Sequence, residues 1–157
     1  MIRKTICFFL ASCTLFGLEE TFGPNPTRYT YPYITAAARA PDFDLGAGIG
    51  IRSRYHRHGI DLSTTWNYST NFYNYYNINA HYLCYLQPSK INSFYAGLGA
   101  GVNIYDSCWL PSEFYPEALL GREIEIRRNK HSFVQLQAIY LPKQEKTQFA
   151  IFYGWGF

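Results

Sequence analysis

The sequence predicts an all-β chain whose eight antiparallel strands close, up-and-down, into a transmembrane barrel. Three observations carry that expectation. Stretches of two-residue alternation recur roughly every 12–15 residues, and almost nothing repeats at the helical period. Aromatic side chains make up 19% of the chain, with 15 Tyr and 12 Phe, and Tyr and Trp favour the boundary between lipid and water. The last nine residues set Phe149, Ile151, Tyr153, Trp155 and Phe157 against Ala150, Phe152, Gly154 and Gly156. A strand sends alternate side chains to opposite faces, so one face of this last segment is apolar along its whole length.

The bulk properties exclude other classes. The 157 residues leave room for one domain. No apolar run after the N-terminal region reaches the roughly 18 residues of a spanning helix. The formal charge is +3, but without Arg3 and Lys4 twelve basic residues face eleven acidic ones. That balance gives no reason to expect a nucleic acid as partner.

The first 18 residues read as an export signal: Arg3 and Lys4, then an apolar stretch from Ile6 to Leu18, closed by Glu19 and Glu20. Leu10-Ala11-Ser12-Cys13 has the form of a bacterial lipobox, which makes Cys13 a candidate for lipidation, although the apolar stretch before it is short. Residues 19–28, with Gly23, Pro24, Asn25 and Pro26, read as a periplasmic lead-in. The barrel is expected over 29–157.

Each strand can be split by face. In 43–55, Leu45, Ala47, Ile49 and Ile51 oppose Asp44, Gly46, Gly48, Gly50, Arg52 and Arg54. In 58–68, Ile60, Leu62, Trp66 and Tyr68 oppose Asp61, Ser63, Thr65 and Asn67. In 75–86, Tyr76, Ile78, Ala80, Tyr82, Cys84 and Leu86 oppose Asn77, Asn79, His81, Leu83 and Tyr85. In 93–105, Phe94, Ala96, Leu98, Ala100, Val102 and Ile104 oppose Tyr95, Gly97, Gly99, Gly101, Asn103 and Tyr105. In 131–141, Val134, Leu136 and Tyr140 oppose Gln135 and Gln137.

Two strands are less regular. In 114–127, Leu120, Ile124 and Ile126 oppose Gly121, Glu123 and Glu125, but Arg122 falls on the apolar face. An Arg facing lipid at midplane costs roughly 2–4 kcal/mol. Either a bulge shifts the register at Arg122 or its guanidinium reaches up to a headgroup. In 29–39, Pro32 removes a ladder donor. The strand at 147–157 brings the count to eight.

An eight-strand barrel has an interior that side chains can fill. The polar faces are small and glycine-rich, while the apolar faces are bulky, so volume as well as polarity sends the apolar set outward. Asp44, Arg52, Arg54, Asp61, His81, Glu123 and Glu125 are then the candidate lumenal charge network. Buried charges must be paired, and a structural role as an ordering plug is expected of them. Gly46-Ala47-Gly48-Ile49-Gly50 and Gly97-Leu98-Gly99-Ala100-Gly101 have a period of two and lie inside strands, unlike a nucleotide-binding loop. His56 and His58 flank a turn without a completing ligand. No metal or cofactor is expected.

With a periplasmic N-terminus, connections 40–43, 69–74, 106–113 and 142–146 face outside, and 106–113 is the longest. Phe72, Tyr73, Trp109 and Leu110 are the candidate outer-loop surface residues. Cys84 and Cys108 fall at opposite ends of the barrel, too far apart for a disulfide.

The terminal strand resembles the C-terminal strand of bacterial outer-membrane β-barrel proteins. In that class a final Phe with alternating hydrophobics upstream is read by the barrel-assembly machinery, and Tyr153, Trp155 and Phe157 match that pattern. Over residues 29–157 the chain resembles the small OmpA/OmpX-type barrels. The resemblance implies a Gram-negative-type outer-membrane location, outer-membrane lipid as surroundings, and a non-enzymatic envelope-structural or surface-interaction role. The layout of 91–157 also looks loosely like the lipid A deacylase barrels, whose penultimate strand carries a His with a nearby Ser. The matching stretch, Gln137-Ala138-Ile139-Tyr140-Leu141-Pro142, has neither, and adjacent His131 and Ser132 would point to opposite faces. A lipid-modifying enzyme, a narrow pore and, as a structural alternative, a soluble exported β-sandwich remain open.

Overall fold

The computed structural model describes residues 28–69, 74–106, 112–127 and 130–157. It consists of eight strands: β1 (Arg28–Ala40), β2 (Asp44–Tyr55), β3 (His58–Tyr68), β4 (Asn74–Tyr85), β5 (Ser93–Tyr105), β6 (Glu113–Arg127), β7 (Lys130–Leu141) and β8 (Lys146–Gly156). Every strand pairs antiparallel with its sequence neighbours, and β8 returns to β1, closing the barrel. Closure leaves no unpaired edge, as a sheet in lipid requires. The end that carries Arg28 and Phe157 is the terminal end; the other is the far end.

The expected alternation sets the two faces. Ile49, Leu62, Trp66, Ile78, Leu120, Leu136, Ile151 and Trp155 all face outward and are exposed. An apolar exterior of this extent around a closed sheet is the surface of a membrane-spanning barrel. Inward positions are almost all buried.

Four details depart from the sequence reading or resolve it. Arg28, assigned to the lead-in, is the first residue of β1. The only register shift in the β6–β7 ladder falls between Glu125 and Arg127, so no bulge turns Arg122 inward; it stays outward and exposed. Cys84 keeps outward parity but is buried. Pro32 is accommodated at the seam: the β1–β8 ladder begins at Tyr33–Gly156, so Pro32 lies just beyond it. Its carbonyl accepts from Phe157 N at 3.2 Å. A strand residue points its N–H and C=O to the same neighbour, so the missing donor faces the end of β8. Pro116 likewise lies one residue outside the β6–β7 ladder, which starts at Glu117–Ile139.

The expectation that bulk points only to lipid is corrected by the lumen. Tyr31, Tyr33, Tyr75, Tyr85, Tyr95, Tyr115, Phe133 and Phe152 are buried there. Glycines make this volume available. A Cβ on Gly50 would strike the ring of Tyr33, on Gly121 that of Tyr95, on Gly101 that of Tyr115, and on Gly154 that of Phe133. No glycine among the described residues has a positive φ, so their role is space rather than backbone freedom.

Candidate functional site

The lumen is the one place where polar chemistry converges among the described residues, and its two halves are built differently. In the terminal half, Arg52 (β2) and Asp61 (β3) are direct cross-strand partners. Both Nε and Nη2 of Arg52 donate to Asp61 Oδ2, the former at 3.2 Å. Its Nη1 donates to the Tyr95 hydroxyl at 2.9 Å and Nη2 to Gln135 Oε1 at 3.0 Å. The Glu123 carboxylate stands 3.8 Å from Nη1. The guanidinium lies 3.9 Å from the centre of the Phe133 ring and 4.9 Å from that of Tyr95.

The two carboxylates are saturated in turn. The Tyr33 hydroxyl donates to Asp61 Oδ1 at 2.6 Å. Glu123 accepts from Tyr31 at 2.9 Å and Tyr85 at 2.7 Å, with His131 Nδ1 at 3.3 Å. The His131 ring stacks on Tyr31, with centroids 4.3 Å apart. Arg54 closes the terminal mouth. It donates to the carbonyls of His56 (2.8 Å), Gln87 (2.9 Å) and Ile91 (3.2 Å), and lies 3.8 Å over Tyr85. A strand guanidinium thereby ties down the β4–β5 turn.

At mid-lumen, His81 Nε2 and Glu117 Oε1 are 2.5 Å apart. They come from β4 and β6, and Gly99 of β5 is the ladder partner of both. With no side chain between them, residues two strands apart can meet.

The far half is looser. An amide chain runs across β3, β4 and β5: Asn67 donates to Asn77, and Asn77 to Asn103. Tyr115 accepts from Asn77 at 2.9 Å and donates to Asn79 at 2.6 Å. Asp44 accepts from Tyr75 at 2.6 Å. Arg39, 3% exposed, makes only a 3.4 Å hydrogen bond to the Tyr75 hydroxyl, and its Nε and Nη2 have no hydrogen-bond partner among the described residues. Asp44 Oδ1 and Gln137 Oε1 lack partners too. At the far mouth Glu113 accepts from Lys143 N at 2.7 Å and Gln144 Nε2 at 3.0 Å.

The predicted lumenal charges are therefore not one network. Arg52, Asp61 and Glu123 form the terminal cluster, and Arg54 caps it. Asp44 belongs to the far half and His81 to the middle. Glu125 is half-buried at the terminal rim, where its backbone N–H donates to Asn92 Oδ1 at 2.7 Å. Sequence reasoning missed Arg39, Glu113, Glu117, His131 and the lumenal Tyr31, Tyr33, Tyr75 and Tyr115, whereas Tyr85 and Tyr95 are buried on the inward face to which alternation assigned them. Strand parity could have found Glu117, which shares the inward face of Glu123. Phe72, Tyr73, Trp109, Leu110, Cys108 and Cys13 lie outside the described residues. Tyr153, Trp155 and Phe157 all face outward.

His131 turns inward to Glu123, whereas Ser132 lies on the opposite face, in register with Ile124 and Trp155. The two do not form a hydrolytic pair. Among the described residues no group of three or more His, Cys, Asp or Glu is placed to hold a metal ion.

Neither a family model nor a curated protein matches the chain. Solved structures do. Neisserial surface protein A is similar at a TM-score of 0.65 and 11% identity, over 84% of this chain and 97% of that one. Ail, the attachment invasion locus protein of Yersinia pestis, solved with the heparin analogue sucrose octasulfate, is similar at 0.53 and 16%, over 82% and 97%. A de novo designed transmembrane β-barrel matches at 0.52 and 12%, over 87% and 100%. At these identities the likeness is one of fold: the chain has the architecture of the small eight-stranded outer-membrane barrels.

Proposed function

We propose that the chain is a non-enzymatic outer-membrane barrel whose lumen is a structural plug and whose far-end connections are its working surface. The terminal cluster carries this reading. A guanidinium with every nitrogen bonded, two carboxylates saturated by tyrosines, and a second Arg tied to a turn make a rigid filling. They offer no accessible nucleophile or channel. The resemblance to outer-membrane barrels supports the location, and the outward Tyr153, Trp155 and Phe157 suit recognition of β8 by the barrel-assembly machinery. The far-end connections, 106–112 above all, would then meet a surface partner or brace the envelope. The described far-end residues include Asp42, Asp106 and Glu145 beside Lys143 and Lys146, so no basic patch favours a sulfated sugar such as the one bound by Ail.

The test uses cells producing the full chain. Protease added outside should cut within 106–112 and leave the barrel intact. A variant with 107–110 replaced by Gly-Ser should still show heat-dependent gel mobility but lose whatever surface adhesion the wild type confers. Cleavage only after the envelope is opened would overturn the orientation, and acyl release from membrane lipid by the purified chain would overturn the non-enzymatic reading.

A further inference from the structure

Among the described residues, Arg122 is the one charge within the apolar exterior that the lumen does not explain. It faces outward from β6, exposed, with its guanidinium 5.1 Å from the centre of the Phe94 ring. No carboxylate pairs with it among the described residues. Its ladder partners are Phe94, the second residue of β5, and Val134. The strand therefore carries it to within reach of the terminal-end rim, where a long cationic side chain can meet headgroups.

Two further features adjoin it. The next outward pair toward the far end is Ala96–Leu120, about 7 Å along the strand. There a lipid-facing groove of ≈ 440 Å³ begins, lined by Ala96, Leu98, Ala118, Leu120, Ala138 and Phe149. The alanines form its floor between larger neighbours: Ala118 pairs with Leu98 and Ala138, and Ala138 with Phe149. Toward the other side lies a cationic rim. Arg28, Arg57, Lys90, Arg127 and Lys130 stand at the terminal end against Glu125. The far end has no such excess.

We infer that Arg122 and this groove bind one anionic phospholipid of the leaflet on the terminal side. Its phosphate sits on the Arg122 guanidinium above Phe94, and an acyl chain lies along the alanine floor. A guanidinium matches a phosphate with two parallel hydrogen bonds. The rim cations make the local potential more positive and so favour an anionic headgroup. The groove is on the lipid side, so an acyl chain meets it without leaving the bilayer. The inference rests on the membrane-spanning reading but not on any role for the far-end connections.

Native mass spectrometry of the full chain, folded in micelles and confirmed by heat-dependent gel mobility, tests it. The probes are phosphatidylglycerol and phosphatidylcholine with identical acyl chains. The wild type should retain one phosphatidylglycerol with about fivefold preference, the factor that one cationic group beside an anionic surface supplies. Arg122→Gln should lose the preference while keeping weak binding of both lipids. Ala118→Phe, which fills the groove, should weaken both. Equal retention of the two lipids by the wild type, or an unchanged preference in Arg122→Gln, would overturn the site. So would a preference removed only by neutralising Arg127 and Lys130, or a dimer that Ala118→Phe dissolves. A wild-type chain that never folds into micelles or vesicles would instead overturn the membrane-spanning reading itself.

Discussion

Arg52 and Arg39 are both buried in the same lumen, yet their surroundings differ. Arg52 bonds through all three nitrogens and faces two carboxylates, whereas two nitrogens of Arg39 have no hydrogen-bond partner among the described residues and the third makes a long bond. The difference teaches what a filled barrel can use as a keystone. A buried charge stabilises only when its partners saturate it; otherwise desolvation takes back what the Coulomb attraction contributes. The terminal half is thus a plug fixed by its hydrogen bonds. The far half has buried polar atoms to spare.

Removing the two guanidiniums tests the comparison most severely. Arg52→Leu leaves Asp61 and Glu123 buried without their cation, and it should cost about 3–5 kcal/mol. Arg39→Leu gives up one long hydrogen bond and distant guanidinium contacts with the Tyr75 and Phe152 rings, and should cost about 1 kcal/mol. Urea unfolding of the barrels in vesicles measures both. The double variant Arg52→Leu with Asp61→Leu should recover part of the loss, since the two sites share one interaction. Equal losses from the two single variants would end the distinction between the halves.

Glycine substitutions probe the same contrast on a smaller scale. In the terminal half, a Cβ on Gly121 first meets the ring and hydroxyl of Tyr95, and that hydroxyl holds Arg52 and Gln135. Gly121→Ala must push that ring and should destabilise by about 1–3 kcal/mol. In the far half, a Cβ on Gly46 meets the amide end of Asn67 and, less closely, the Trp66 carbonyl, so a smaller group than a tyrosine ring has to move. Gly46→Ala should therefore cost less than Gly121→Ala, read as the shift in the urea midpoint at unchanged slope. A larger loss for Gly46→Ala would show that the far half is packed as rigidly as the terminal one.

What the sequence made legible was the strand count and the two faces, because period-two alternation maps directly onto a pleated sheet. The pairing of lumenal charges was not legible, because it depends on register and on what stands between strands. Arg52 and Asp61 could be placed on one face but not opposite each other without the tight turn at His56-Arg57. His81 and Glu117 meet only because Gly99 leaves their common neighbour bare. Tyrosine was the most ambiguous residue: Tyr33 and Tyr95 are lumenal, Tyr76 and Tyr82 face lipid. A ring fits either side; for Tyr33, Tyr95 and Tyr115 a glycine across the ladder marks the inward one. Arg122 broke the alternation visibly, and that irregularity was the one that pointed to a site on the exterior.

The smallest effect lies at the far mouth, and it separates screened from unscreened charge. Lys146 Nζ approaches both carboxylate oxygens of Asp42, at 2.6 and 2.5 Å, and Gln148 donates to the same group at 3.0 Å. This contact ties the β1–β2 turn to the start of β8. The hydrogen bond from Lys146 holds the Asp42 carboxyl below its ordinary range, against a weaker opposing effect of burial. A carboxyl depressed in the folded state contributes stability that is complete above its unfolded value, about 4, and is lost as pH falls through the folded value. Asp42→Asn should therefore cost up to about 1 kcal/mol at neutral pH. Its unfolding curve should converge with that of the wild type as the pH drops below about 4. Both side chains remain partly exposed, so high salt should shrink the neutral-pH difference, while the Arg52→Leu loss in the dry terminal cluster should barely respond. A salt response of equal size at both ends would mean that water reaches the terminal cluster.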